Sequence, residues 1–503
     1  MPLNSPYLKL YRLPLAMVLL SMLFYWAFGY DLTRTDYIKL LMLYSALFFI
    51  FYRLVLLFKH NIKHLTYLSF GFRAIFILAI PNLSQDFYRF IWDGRMILEG
   101  LNPYLFTPES FISNSLFPLA QAQDLYNGMG KLNASHFTNY PPINQLCFAI
   151  AALFTGKSIV GSVIVLRLII IAADFGTLYF GKKLLEKLKL PTFHIFWYIL
   201  NPFIIIELTG NLHFEGVMIF FLIWSLYLLH RSKWQLAAVV LALSISTKLI
   251  PLIFLPLFYQ WLVKRNEAKH EILKQPRKLS GQYEDNKKEK HVSFEKIATS
   301  IPPRNDRTNK ASNVIKLKNL ISFYGIIGII SVLLFTPFYS SDFIVNYTQT
   351  VALWFQKFEF NASLYYVARA IGYGFRGYNE IAIIGKYTAL VVFLFVLAIA
   401  FFRNNKTSVQ LITAMLLALS FYYFTASTVH PWYVATLLAL SVFTNYKFPL
   451  VWSFVIILSY LGYVHINSAD KSENLWFIAL EYTVVYGVFI WEIFIKKASK
   501  KEA

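Results

Sequence analysis

Fourteen apolar runs divide the chain, near residues 13–29, 38–58, 65–82, 158–181, 192–210, 215–230, 234–247, 249–263, 320–339, 381–402, 407–426, 432–445, 448–464 and 475–495. A helix needs roughly 20 apolar residues to cross a hydrocarbon core of about 30 Å. The longer runs reach that length, and the shorter ones read as half-spanning or broken helices. Charged residues make up only 15% of the chain, against about 25% in soluble domains, while 57% are hydrophobic. These proportions exclude an ordinary water-soluble fold and predict an all-α polytopic membrane protein of about 12–14 transmembrane helices.

The polar stretches between the runs set the orientation. The formal charge of +21 would suggest nucleic acid in a soluble protein. Here the excess collects in "KHNIKH" (59–64), "KKLLEKLKL" (182–190), "HRSK" (230–233), "RNNK" (403–406) and the tail "KKASKKEA", all on one face. The positive-inside rule makes that face cytoplasmic, with both termini inside, in a bacterial inner membrane. No nucleic-acid partner is implied. The stretch from Leu13 to Phe28 lacks a small-residue cleavage site and reads as a span rather than a leader. Cys147, the single cysteine, has no partner for an internal disulfide.

Parity of the runs makes two further demands. The stretch Ile143–Phe154 must be a juxtamembrane or re-entrant helix, because a full span there would put "KKLLEKLKL" outside. The stretch Trp234–Val263 must leave and return. Two short helices meeting near Lys248 and Pro251 satisfy this, with Lys248 at the outer tip of the hairpin, facing a cavity rather than lipid. The chain then divides into an N-terminal membrane module (1–263) with an outer loop at 83–157, a basic loop (264–318) and a C-terminal membrane module (319–503) with an outer loop at 339–379. The middle segment holds 15 Lys/Arg against 7 Asp/Glu and few apolar residues, which predicts a mostly disordered cytoplasmic loop.

Chemistry concentrates on the expected outer face. In "SQDFYRFIWDGRMILEGLNPYLFTP" (84–108), Asp86, Arg89 and Asp93 recur at i, i+3 and i+7, on one helical face. Phe87, Phe90, Ile91, Ile97 and Leu98 fill an adjoining apolar arc. The pattern predicts an amphipathic helix in the interface, its carboxylates turned outward or toward a groove, ending at Gly100. A salt-bridged trio without chemistry would give the same spacing. The neighbouring "NYPP" (139–142), the "NP" at Asn201–Pro202, and Glu207 and Glu215 around another outer turn favour a functional reading.

"DFYRFIWDGRMILEGLNPY…NYPP" resembles the first outer loop of GT-C glycosyltransferases that use polyprenyl-phosphate sugars, above all the bacterial polyprenyl-phosphate-mannose mannosyltransferases. "NLHFEG", "STKLIP", "FNASLYYVAR" and "HPWY" are similar to other elements of such enzymes, so the resemblance spans most of residues 84–433. Two extra spans before the acidic loop and the long basic insertion depart from the pattern. The resemblance implies a GT-C-like bundle that transfers a sugar on the outer face, with inversion. The donor is a polyprenyl-phosphate sugar and the acceptor a glycan or glycolipid, among membrane lipids. Mannose rests on the resemblance alone, since glucose, arabinose or an amino sugar fits the same chemistry.

A sugar on a lipid phosphate has a good leaving group, whereas the acceptor hydroxyl needs a base, which Asp86 can supply, with Asp93 next in line. Arg89, Lys248, Arg369 and His430 are the candidate cations for the departing phosphate. Trp92, Trp354, Tyr365 and Trp432 are candidates to stack on sugar faces; each also fits an interfacial anchor. Tyr140 belongs with the sugar-contacting residues, and His213 and Glu215 can orient the acceptor. With no His/Cys cluster or Asp-x-Asp pair near Asp86, no obligatory metal and no cofactor are expected. A lipid-sugar flippase or transporter is the competing class, suggested by short broken helices with a lysine at the bend. The absence of an internal repeat in the order of apolar runs speaks against it.

Overall fold

The computed structural model describes residues 6–114, 119–263, 306–356, 358–463 and 473–495. The side chain of Trp354 and the basic stretch 264–305 lie outside the described residues. Among these residues the chain is helical, and its one β-bridge pairs Phe360 with Thr428. Seven helices are long and apolar enough to cross a membrane, or eight when Thr192–Ile199 and Pro202–Gly210, bent by 48°, count as one span. Six shorter apolar helices of 10–17 residues accompany them. The protein is an all-α polytopic membrane protein, and its shorter runs are indeed short helices.

The N-terminal part comprises α1 (Pro6–Tyr30), α2 (Tyr37–Phe58), α3 (Ile62–Ile75), α4 (Asp86–Leu98), α5 (Pro108–Ser113), α6 (Ala122–Ala134), α7 (Pro142–Thr155) and α8 (Ile159–Leu188). The run at 65–82, expected to be a span, instead gives α3, which stops at Ile75. Its Arg73 is fully buried and binds Asp174 of α8 at 2.7 Å and the Ile199 carbonyl at 2.7 Å. Pro81 bars a helix through Ile80. A second buried cation, Arg167 of α8, takes the carbonyls of Thr209, Gly210 and Ile77. These are carbonyls released where helices end, and an arginine fork satisfies several at once. The bend after residue 200 is therefore held by two buried arginines.

Helix α4 corrects a second expectation. It is not laid on the interface with carboxylates outward. Phe87, Arg89, Phe90, Ile91, Trp92, Asp93, Gly94, Arg95 and Met96 are all buried, packed between α6 and α7. A third difference concerns the basic loop, since the helix Asp306–Phe335 already occupies the last residues of the segment expected to be a loop.

Polar contacts gather at the two ends of the helix Ser408–Thr425. At one end the backbone of Phe360 pairs with that of Ser427 and Val429, and Glu473 accepts from the Asn361 N–H. At the other, His230 meets Ser408, and Gln260 caps the carbonyls of Ala400, Phe401 and Arg403.

Candidate active site

The chain breaks its helices where the site lies. Pro142 opens α7 and has no N–H, and the Ile143 N–H has no acceptor within the helix. It donates instead to the Ser246 carbonyl at 2.9 Å, which is free because the helix Trp234–Ile245 ends there. A 3-10 helix, Ile250–Leu257, follows with Pro251 in its first turn, where a proline is tolerated. This one bond joins "NYPP" to "STKLIP" and brings the Lys248 ammonium to 5.2 Å from the centre of the Tyr140 ring. The expected hairpin break at Lys248 and Pro251 is present.

These segments enclose a cavity of about 710 Å³. Asp86, Tyr140, Glu215, Lys248 and His430 all line it, together with Tyr365 and Trp432. Residues from six separate sequence regions thus converge on one space. Its other wall is apolar, formed by Leu252 and Ile253 on one side and Ala389 and Val392 on the other.

Asp86 stands in the first turn of α4, where the helix dipole favours a carboxylate. Asn133 of α6 donates to its Oδ1 at 3.1 Å. Desolvation pushes its pKa above the usual aspartate range, opposed by the positive field of Lys248 and the Asn133 hydrogen bond. The carboxyl is more basic than a surface aspartate, as a general base should be.

The cations divide sharply. Lys248 Nζ lies 3.0 Å from Glu215 Oε1. Burial and the nearby Lys248 lower the pKa of His430 to about 3, so its imidazole is neutral near pH 7 and offers a hydrogen bond rather than a charge. Arg369 is bound to Glu359 and lies over the Tyr366 ring, away from the cavity lining. Arg89 turns the other way: it bonds Asp93 at 2.7 Å and the carbonyls of Asn133 and His136, both at 2.8 Å. Asp93 is fully buried and also accepts from Gln145 at 3.1 Å. Arg89 and Asp93 are therefore a packing device behind Asp86, and neither lines the cavity.

The aromatic candidates separate in the same way. Trp92 is fully buried, its indole N–H directed at Met96 Sδ, 3.1 Å away, outside the cavity. Trp432 does line it, but its ring lies 3.6 Å from His213 and 4.6 Å from His430, nearly parallel to both. Two imidazoles that close to one ring occupy opposite faces, so Trp432 presents its edge to a ligand. His213 is buried behind it and faces Glu207 at 3.8 Å. Its pKa is driven well down by burial, so it backs the wall and carries no charge.

Sequence reasoning missed Arg34 and Asn133, which also line the cavity. Arg34 stacks over the Tyr460 ring at 5.7 Å, with no carboxylate partner among the described residues. A signal existed: Arg34 is a basic residue in a loop that the positive-inside rule assigns to the outer face. Asn133 has no such mark. Among the described residues no three His, Cys, Asp or Glu side chains are grouped to hold a metal ion.

A helical membrane protein with a mainly apolar cavity that also carries a carboxylate and two cations in its lining is the class that the fold and site define. Comparison makes that narrower. Residues 33–265 match the family described as alpha-(1->6)-mannopyranosyltransferase, N-terminal domain. The chain is similar to alpha-(1->6)-mannopyranosyltransferase A of Mycobacterium tuberculosis, with 22% identity over 191 residues, 38% of this chain and 35% of that protein. It therefore aligns with about a third of that curated relative's length. No solved structure matches. The matched segment is mannosyltransferase-like, and it contains Arg34, Asp86, Asn133, Tyr140, Glu215 and Lys248.

Proposed function

We propose that the protein is an inverting membrane mannosyltransferase. It moves mannose from a polyprenyl-phosphate donor to a hydroxyl of a glycan or glycolipid on the outer face of the inner membrane. The observation that carries this reading is the placement of Asp86, its basicity raised, in the same cavity as Lys248 and Arg34. The acceptor O–H gives its proton to Asp86 as its oxygen attacks the anomeric carbon. The bond from that carbon to the phosphate oxygen breaks on the opposite side, its electron pair leaving with the lipid phosphate. One displacement inverts the centre through an oxocarbenium-like state.

Charge that builds on the departing phosphate needs cations in a water-poor site. Lys248 and Arg34 face the cavity, and they take the place first assigned to Arg89, Arg369 and His430. The apolar wall at Leu252, Ile253, Ala389 and Val392 suits a prenyl chain. Glu215 keeps its buried Oε2 without a hydrogen-bond partner, an acceptor left for a sugar hydroxyl.

The test is transfer in detergent with a polyprenyl-phosphate mannose and a mannoside acceptor. Product with inverted configuration supports the reading, and Asp86→Asn is expected to lower turnover by about 100-fold or more while the fold persists. Donor binding without any transfer by the folded protein, across a panel of acceptors, would favour the flippase class instead.

A further inference from the structure

A second, smaller cavity lies at the other end of the bundle. It measures about 270 Å³ and sits between the first turns of α3 and the last turns of α8. Helix α8 has 30 residues, so at ~1.5 Å per residue it runs ~45 Å, longer than a hydrocarbon core of about 30 Å. One part of it holds the carbonyls of Thr209 and Gly210 through Arg167, near the large cavity. Its far end, from Lys182 onward, therefore stands at headgroup level on the opposite side.

The pocket has two characters. Ile62, Phe175 and Leu178 give it an apolar floor, while Lys182, Lys183 and Glu186 form its polar side. Phe175 is 58% exposed and Tyr179 48%, so the floor opens onto the surface that faces lipid tails. Lys183 is pinned by Tyr179, its ammonium 4.0 Å from the ring centre. Neither lysine is paired with a carboxylate among the described residues, although Glu186 lines the same pocket. Lys59 in the turn before α3 and Lys63 in its first turn add to the local positive charge in the sequence.

We propose that this pocket binds the headgroup of an anionic phospholipid, with the phosphodiester on Lys182 and Lys183 and a headgroup hydroxyl donating to Glu186. A free phosphate ion would satisfy the lysines but leave the apolar floor open to water. A zwitterionic choline headgroup would satisfy neither Glu186 as an acceptor nor the excess of positive charge. Basic pockets between spanning helices at headgroup level hold acidic lipids through this combination of charge and chain contact. The proposal is independent of the catalytic reading, because it concerns the other end of the molecule.

The test uses the full chain in a neutral detergent, titrated with phosphatidylglycerol, phosphatidylcholine or inorganic phosphate, with thermal unfolding and native mass spectrometry as readouts. Phosphatidylglycerol is expected to raise Tm in a saturable, salt-sensitive way, with lipid retained in the mass spectrum. Lys182→Gln with Lys183→Gln should weaken its apparent affinity about thirtyfold, roughly fivefold for each lysine. Thr66→Trp fills the pocket and leaves both lysines, so it should also abolish the effect and serves if the double variant does not fold. Equal stabilisation by phosphatidylcholine overturns the charge argument, and equal stabilisation by inorganic phosphate overturns the lipid. Unchanged phosphatidylglycerol affinity in either folded variant overturns the site.

Discussion

Lys248 Nζ lies 3.0 Å from Glu215 Oε1, so the ammonium whose field acts on the proposed base is already paired before any ligand arrives. The sequence offered Lys248 as a cation for the departing phosphate. The pairing adds Glu215 to that role, and Lys248 also lowers the pKa of Asp86, so under the proposed mechanism it serves both carboxylates and the ligand.

Lys248→Met keeps the apolar stem and removes the charge. Because Lys248 lowers the pKa of Asp86, its loss raises that pKa further. The base works only when ionised, so the acid limb of kcat/KM should move to higher pH. Activity at pH 6 should fall more than activity at pH 8, by about tenfold for each unit the limb moves. A pH–rate profile for the variant decides this. An equal loss at every pH would mean that Lys248 acts on the ligand alone.

Asn133→Ala should act in the same direction and less strongly. Its amide donates at 3.1 Å to Asp86 Oδ1, a bond that favours the ionised carboxylate. A hydrogen bond to a charged group contributes about 1.5–3 kcal/mol when buried, and this site is partly open. A shift of the acid limb upward by about one unit or less is expected, with the limiting rate at high pH nearly unchanged. A profile that does not move would remove Asn133 from the tuning of the base.

Much of this arrangement was legible in the sequence because membranes simplify the reading. The length of each apolar run and the count of basic residues between runs placed Lys248 at a helix break facing a cavity, and both the break and the cavity are present. Spacing could say that Asp86, Arg89 and Asp93 share a face, but not which neighbours that face would meet. The helix is enclosed by α6 and α7, so Arg89 is drawn to backbone carbonyls and Asp93 to Arg89 and Gln145. Tertiary partners also decided His430 and Trp432, whose rings stack with each other and leave no face of Trp432 free. Periodicity carries no information about such partners. Arg34 carried only its charge in a loop assigned to the outer face, and Asn133 carried no mark of its own.

The Arg89–Asp93 pair is expected to support the fold rather than the chemistry. Removing one member of a buried ion pair leaves the other charge without compensation, which costs about 3–5 kcal/mol. Arg89→Gln and Asp93→Asn should both lower Tm, and activity should fall in step with the folded fraction. Thermal unfolding in detergent beside the transfer assay separates the cases. Asp93→Asn protein with normal Tm and lost turnover would return Asp93 to the catalytic set.

Gly94 offers the sharpest test of how α4 positions the base. A Cβ placed there would lie 2.2 Å from the Phe148 carbonyl oxygen and 2.5 Å from its carbon, both backbone atoms of α7. Neither can yield without moving a helix, and overpacking of this kind costs about 1–3 kcal/mol. Since α4 carries Asp86 at its first turn and α7 follows directly on Tyr140, separating the two helices widens the gap between Asp86 and Lys248. Gly94→Ala should therefore lower both Tm and the turnover of the protein that remains folded. Gly71→Ala is the control: nothing lies within 4 Å of a Cβ there, and an alanine inside α3 should raise stability by up to about 1 kcal/mol with activity unchanged. Full turnover in Gly94→Ala protein would mean that the close approach of α4 to α7 does not set the position of Asp86.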